Sequence, residues 1–270
     1  MADDALSYNV EGKKVLVTGA SVGIGAGIAE AFAAAGATVG ICARREARLA
    51  TVLERCQTHA PDSRMWVVDL ADLDRVQAFA AQTDDQLGGI DILVNNAGIP
   101  KRRAVLDLRL DEVDDVMALN YLSPVRLTLA LLPRMVARGG GRVVTISSVA
   151  ARLGPPHEAS YAASKAAIAA FMECAAVDLD GTGVLFHLVN PGIIDTDLFT
   201  LPDNEPSLSQ GIDALPVEQL AAAVLAQLRN GTFEIYVPDW FAELASARYA
   251  DLGAFVEGSQ SYVRSLRSTP

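Results

Sequence analysis

The chain has 270 residues, 51% hydrophobic and 20% charged, which allows a sizeable buried core in one large α/β domain or two small ones. Its net charge of -11, with Lys101-Arg102-Arg103 as the only basic cluster, argues against nucleic acid or an anionic membrane as the main partner. Cys42, Cys56 and Cys174 are scattered, as reduced thiols of a cytoplasmic protein would be. The three histidines have no metal-ligand spacing, so no metal is expected. The polar, acidic start does not read as a signal peptide, and no apolar run reads as membrane-spanning.

In chain order, Lys13–Thr18 reads as a buried strand, followed by Gly19-Ala20-Ser21-Val22-Gly23-Ile24-Gly25 and a helix to about Ala35. Thr38–Cys42 is a second strand, Arg45–His59 a helix, Met65–Asp69 a third strand, and Leu73–Gln86 a helix ended by Gly88-Gly89. Ile90–Asn95 is a fourth strand, Asp111–Ala137 a long helix, and Arg142–Ser147 a fifth strand. An Ala-rich helix carrying Tyr161 runs to about Asp178, and Gly183–Val189 is a sixth strand. A Pro-, Asp- and Ser-rich lid occupies about 192–216, after which Val217–Arg229 is helical and Phe233–Val237 a seventh strand. Strands that are apolar on both faces and alternate with helices predict a doubly wound parallel sheet, α/β/α in three layers, as a single domain over 1–270.

Several stretches carry chemistry. The glycine run lies between a strand and a helix, where flexible backbone and free helix N–H groups can hold a phosphate; it could also be a tight packing turn. Its spacing is G-x-x-x-G-x-G, unlike the commoner G-x-G-x-x-G. Ala43 stands at the end of the second strand, where an acid would bind the ribose of NAD, and Arg44 and Arg45 follow. Arginine suits a 2′-phosphate, so NADP is expected ahead of NAD, unless these arginines merely begin a solvated helix. Asp69 and Leu70 end the third strand; Asp69 can meet an adenine amino group or cap the next helix. Asn95-Asn96-Ala97-Gly98 ends the fourth, where paired amides can crosslink neighbouring loops.

Tyr161 and Lys165 fall one turn apart on one helix face. A phenol of pKa about 10 would need a shift of about 3 units, or about 4 kcal/mol, to exchange protons at neutral pH. An ammonium alone falls short, and a second positive charge such as an oxidised nicotinamide would complete it. Ser148 precedes this helix and can hold a substrate oxygen. Alone, Y-x-x-x-K fits any solvated helix.

Together, Thr18-Gly19-x-x-x-Gly23-x-Gly25, Asn95-Asn96-Ala97-Gly98, Asn120, Ser148 with Tyr161-x-x-x-Lys165, and Pro191-Gly192 resemble the short-chain dehydrogenase/reductase family in order and spacing, from about Lys13 to Val237. The resemblance implies a Rossmann-like fold and an NAD(P)-dependent oxidoreductase acting on a carbonyl/alcohol pair. It implies Tyr161 as general acid/base, Ser148 as the substrate-oxygen partner, and Lys165 as holder of the nicotinamide ribose. It implies a main-chain role for Asn120 in a proton relay, four residues before Pro124. It also implies that Pro191, Gly192, Ile194 and Thr196 wrap the nicotinamide, with Ser21, Val22, Ile24, Asn96, Ala97 and Gly98 also near the cofactor.

An apolar substrate pocket is expected from Ile99, Pro100, Val149, Leu153, His157 and Ile193, with Leu198 and Phe199 of the lid. Asp239–Pro270 extends past the family's usual end as one or two amphipathic helices, docked on the core or on another subunit. Alanines along the Tyr161 helix, with the family's habit of dimers and tetramers, give the expectation of a homo-oligomer. Other readings are an NAD-dependent alcohol dehydrogenase of the same family, a nicotinamide-using epimerase, and a catalytically silent binding protein on this fold.

Overall fold

A computed structural model describes residues 8–196, 203–206 and 212–267. Strands β1 (Lys14–Thr18), β2 (Thr38–Ala43), β3 (Arg64–Val67), β4 (Ile92–Asn95), β5 (Gly141–Ile146), β6 (Val184–Pro191) and β7 (Glu234–Val237) form one sheet in the order β3-β2-β1-β4-β5-β6-β7. Every pairing is parallel. Side-chain alternation explains why these strands read as unbroken apolar runs. Val15 and Val17 of β1 pack toward α1 (Gly23–Ala34), α2 (Glu46–Gln57) and α8 (Val217–Asn230), while Leu16 between them packs toward α3 (Leu73–Leu87), α5 (Ser123–Ala137) and α7 (Ala159–Asp178). The strand order reverses between β1 and β4, so the loops leaving their carboxyl ends part and open a crevice.

Element ends shift from the sequence expectation by a residue or two. The long helix expected over 111–137 is α4 (Leu110–Met117), a π turn at Ala118–Leu122, and α5. Pro124 has no N–H for the carbonyl of Asn120. The wider turn adjusts to that loss: Ser123 N–H bonds back five residues to Ala118 O. This stretch, Leu110–Ala137, is long and apolar enough to cross a membrane, with a mean hydropathy of 1.3, which the sequence reading passed over. Half of that window is buried, and the stretch packs on α3 and α7 as a core helix does. A short α6 (Ala150–Leu153) follows β5 and was not expected.

The C-terminal extension is two helices, α9 (Phe241–Ala250) and α10 (Leu252–Arg267); α9 packs on β7 and α6, and α10 on α9. Of the lid region, 197–202 and 207–211, and with them Leu198 and Phe199, lie outside the described residues. Residues 203–206 are clasped by the basic triplet: Lys101 and Arg103 pair with both Asp203 and the buried Glu112, and the Arg102 N–H donates to Asn204 Oδ1.

Asp84 is the buried charge on which the α3–β4 corner depends. Its carboxylate accepts from the Ile90 N–H at 2.7 Å and pairs with Arg134 and Arg138 of the α5 end, each at 3.0 Å. Burial disfavours its charge, but these donors outweigh burial and hold the carboxyl below its ordinary range. Asp84→Asn should destabilise the protein by about 3 kcal/mol in urea unfolding at pH 7, moderated because the arginines are partly solvated. A depressed folded-state pKa contributes stability above the unfolded value of about 4 and loses it as pH falls through the folded one. The gap between variant and wild type should therefore narrow below about pH 4; a constant gap would remove the charge from the account.

Candidate active site

The crevice is closed at its base by a side-chain knot between β1 and β4. Thr18 Oγ1 donates to Val94 O at 3.2 Å and accepts from the N–H groups of Asn96 at 2.9 Å and Ala97 at 3.0 Å, which fills its bonding capacity. Asn96 Nδ2 donates to Thr18 O at 2.8 Å and Gly19 O at 3.3 Å. This close packing explains two glycines. Gly19 has φ +68°, and a Cβ there would stand 2.7 Å from Ala97 Cα; at Gly25 it would stand 2.4 Å from Asn96 Nδ2. The turn delivers the N-terminus of α1 to the crevice with no side-chain cap and no acid in its first turn. Free N–H groups and the positive dipole end therefore face the cleft, as an anion requires.

Beyond the turn, Arg45 Nη2 donates to Ser21 Oγ at 3.3 Å, and Arg44 Nη1 lies 3.7 Å from Asp69 across an exposed pair. Asp69 Oδ1 accepts from the Ala71 N–H, and the residue preceding α3 is Asp72, so Asp69 is not the helix cap. Gly19, Ser21, Val22, Gly23, Ile24 and Gly25 line one end of a cleft of about 600 Å³, with Arg44, Arg45, Asp69 and Leu70 beside them. Asn96, Ala97 and Gly98 line its middle, and Pro191, Gly192, Ile194 and Thr196 its far wall. An uncapped helix start, a turn kept bare at Gly19 and Gly25, and two arginines fit a nicotinamide dinucleotide on their chemistry.

At the centre, α7 presents Tyr161 and Lys165. Lys165 Nζ donates to Ile146 O at 2.8 Å and lies 5.8 Å from the Tyr161 ring centroid. Burial pushes the lysine down to about 8. Burial likewise pushes Tyr161 up to about 12; the Glu158 charge adds to this, while a hydrogen bond with Ser148 and the charge of Arg102 oppose it. The chain's own groups thus hold both side chains toward their neutral forms. The adjacent serines separate by their bonds: Ser147 Oγ donates to Lys165 O at 3.2 Å beneath the helix, while Ser148 Oγ accepts from the Ala150 N–H at 3.1 Å. Asn120 works through its side chain. Oδ1 accepts from the Ile99 N–H at 2.8 Å, and Nδ2 donates to Ile99 O at 2.9 Å and Ser164 Oγ at 3.1 Å, tying the loop after Gly98 to α7.

The expected pocket residues Ile99, Pro100, Val149, Leu153 and Ile193 all line the cleft. His157 does not; it has φ +65° and turns to Glu205 of the clasped segment. The sequence reading missed Arg102, Glu158, Ile212, Phe241, Leu244 and Tyr262, which complete the walls. Glu158 had a local signal, one helical turn before Tyr161; Phe241, Leu244 and Tyr262 lie on α9 and α10, and no motif marks them. Phe241 rests on Gly192, where a Cβ would stand 2.4 Å from its ring. Arg152 secures α6, just after Ser148, by pairing with Glu234 of β7 at 3.0 Å and with Glu173 of α7.

A family model for the short chain dehydrogenases matches residues 13–205. The chain is 38% identical over 216 residues to a short chain dehydrogenase of Pseudocercospora fijiensis, covering 78% of this chain and 69% of that protein. It is 36% identical over 198 residues to Dehydrogenase/reductase SDR family member 7B of Danio rerio, covering 70% of this chain and 63% of that one, less than two thirds of its length. Among solved structures, a short-chain dehydrogenase from Streptomyces avermitilis superposes with a TM-score of 0.77 at 30% identity, over 93% of this chain and 98% of that one. A short chain dehydrogenase/reductase from Burkholderia phymatum in complex with NAD gives a TM-score of 0.82 at 22% identity, over 91% and 95%, and shares the fold. The chain belongs to the short-chain dehydrogenase/reductase family, a family of NAD(P)-dependent oxidoreductases.

Asn120→Ala removes two hydrogen bonds from the loop that carries Gly98 and Ile99 and a third to Ser164 of α7. Denaturant unfolding should show a loss of about 2 kcal/mol, and amide exchange at Ile99 should quicken. Unchanged protection at Ile99 would dismiss Asn120 as the loop's anchor.

Proposed function

We propose that this chain is an NADP(H)-dependent oxidoreductase that interconverts a ketone or aldehyde and an alcohol on a mainly hydrophobic small molecule. The observation that carries the reading is the meeting of Ser148, Tyr161 and Lys165 at the centre of a cleft whose one end is a glycine turn and whose other end is apolar. Gly19–Gly25, Arg44, Arg45, Asp69, Leu70, Asn96–Gly98, Tyr161, Lys165, Pro191, Gly192, Ile194 and Thr196 would hold the dinucleotide. That cofactor, when bound, supplies or accepts the hydride.

The chain's own part is proton handling and orientation. The Ala150 N–H fixes Ser148 Oγ, whose hydroxyl, bonded to Tyr161, would turn its proton to the substrate oxygen and stabilise the charge developing there. The Tyr161 hydroxyl gives its proton to that oxygen in reduction and takes it back in oxidation. Its high intrinsic pKa keeps the proton in place until a substrate oxygen is presented. Lys165, anchored on Ile146 O and 5.8 Å from the Tyr161 ring centroid, would set a positive charge near the phenol and hold the nicotinamide ribose. The Asn120 side chain and the π turn fix the loop and helix between which the relay runs. Tyr161→Phe should lower kcat by about 10²–10⁴-fold with cofactor affinity, read by fluorescence titration, nearly unchanged; retained turnover would refute the acid/base role. Net release of oxidised or reduced cofactor would distinguish this reading from an epimerase, which returns it, and from a silent binder.

Preference for NADP(H) is supported by Ala43 in place of an acid and by Arg45 bridged to Ser21 at the glycine turn. Arg44 shares its charge with Asp69 and should contribute less. Loss of a charge-assisted hydrogen bond costs about 1.5–3 kcal/mol. Arg45→Ala should therefore raise KM for NADPH by about 10–100-fold and change KM for NADH little, and equal changes would overturn the assignment. A homodimer or homotetramer is supported by the outward face of α7, where Ala163, Ala170, Cys174 and Val177 are exposed.

A further inference from the structure

The substrate end of the cleft is mainly apolar, and among its lining residues Glu158 is the carboxyl and Arg102 the opposing charge. Glu158 precedes α7, one turn before Tyr161, and lines the cleft with Tyr161 and Arg102. Its main-chain carbonyl accepts from the Ala162 N–H at 2.7 Å, but its side chain does not cap the helix. Among the described residues, the carboxyl makes no hydrogen bond or ion pair. The nearest opposing charge, Arg102, acts on it through space, while the Arg102 Nε–H donates to Glu205 O at 2.9 Å. Around it stand Pro100, Leu153, Pro155, Ile193 and Phe241. The residue is half-buried, and a carboxyl set among apolar side chains with no protein donor is left to whatever occupies the cleft. The setting shows in its titration, which burial pushes up to about 7. A helix cap, a salt bridge or a core contact would explain such a residue, and it makes none of them. Its carboxyl opens onto the cleft, where a ligand that displaces water can supply the donor.

We propose that Glu158 reads the substrate: its carboxyl accepts a hydrogen bond from a hydroxyl or amino group a few bonds from the reacting carbon, so that the preferred substrate is a hydroxyketone, diol or amino alcohol with an apolar body. This rests on the oxidoreductase reading above. It narrows the substrate from a plain hydrophobic ketone to one with a second polar group on the Tyr161 side. A site that offers a buried acceptor rejects the analogue that lacks the matching donor, because binding that analogue leaves the acceptor unpaired. No covalent chemistry is asked of Glu158, and the acid/base work stays with Tyr161.

The test compares NADPH oxidation with 2-octanone, 1-hydroxy-2-octanone and 4-hydroxy-2-octanone as probes, in the wild type, Glu158→Gln and Glu158→Leu. The wild type should favour at least one hydroxyketone over 2-octanone by 10-fold or more in kcat/KM. Glu158→Leu should reduce that ratio at least 5-fold, chiefly through the KM of the hydroxyketone. Glu158→Gln, which keeps a carbonyl acceptor, should retain part of it. Thermal melting is the second readout: removing an unpartnered carboxyl should leave both variants at least as stable as the wild type, whereas a carboxyl that held the fold together would lower the melting temperature in both. Turnover of the ketones without preference would overturn the role of Glu158 and leave the oxidoreductase reading standing. A fall in kcat shared equally by all three probes in the variants would overturn it too, since Glu158 would then act through Tyr161. No turnover of any carbonyl or alcohol by the wild type with either cofactor would overturn the oxidoreductase reading itself.

Discussion

The crevice depends on a hydroxyl and an amide. Thr18 at the end of β1 and Asn96 just past β4 bind one another's loops where the strand order reverses. Two parallel strands would otherwise send their following segments apart with polar backbone unpaired at a buried corner. The knot satisfies those groups and brings the β4 loop so close to the glycine turn that side chains are excluded at Gly19 and Gly25. The same exclusion leaves bare backbone and an uncapped helix start facing the cleft. Packing at the base of the crevice and readiness for an anion are therefore one arrangement. A larger residue at either glycine would spoil both.

The second constraint is desolvation. Tyr161 and Lys165 are held in a region that disfavours charge on either of them, the phenol moved up to about 12 and the amine down to about 8. The expectation that an ammonium one turn away sets the phenol's acidity is incomplete, because burial outweighs every neighbour the chain supplies. Lowering that pKa takes positive charge brought in with a ligand, so in the proposed role Tyr161 would keep its proton until the cleft is filled. Glu158 belongs to the same balance. Its negative charge raises Tyr161 further, and Arg102 opposes both.

What could be read from the sequence follows from how far each feature's physics reaches along the chain. Strand runs, helix periods and the glycine turn are local, so the seven strands and the turn after β1 were legible to within a residue or two. The pair at Tyr161 and Lys165 was legible because helical geometry alone sets their spacing. The break in the long helix at Ala118–Leu122 was half visible: Pro124 announced a lost hydrogen bond, and the wider turn that absorbs it needed coordinates. His157 was misplaced for the opposite reason. A loop residue at positive φ has no period to follow, and Glu205, far along the chain, decided where it points. Asp69 had two readings in the sequence, and only the position of Asp72 before α3 separated them.

The substrate end shows the limit of local reading most clearly. The family model ends at residue 205, yet Phe241, Leu244 and Tyr262 from beyond it line the cleft with Leu153 and Ile193. Cofactor recognition uses backbone, helix ends and a few fixed side chains, all within short motifs. Substrate recognition is assembled from the ends of unrelated elements. Here one of those elements also supports the segment proposed to hold the cofactor, because Phe241 of α9 lies directly on Gly192 just after β6. Arg152 joins α6, and so the Ser148 loop, to β7 and α7. The C-terminal helices thus meet the cleft through the packing of Phe241 on Gly192, and meet α6 through the hydrogen bond that Arg152 Nη1 donates to Tyr249 Oη of α9 at 3.4 Å. Under the proposed function, a change in these helices would bear on the α6 segment after Ser148 as well as on the pocket wall, so substrate selectivity and the placement of the reacting oxygen would not be independent.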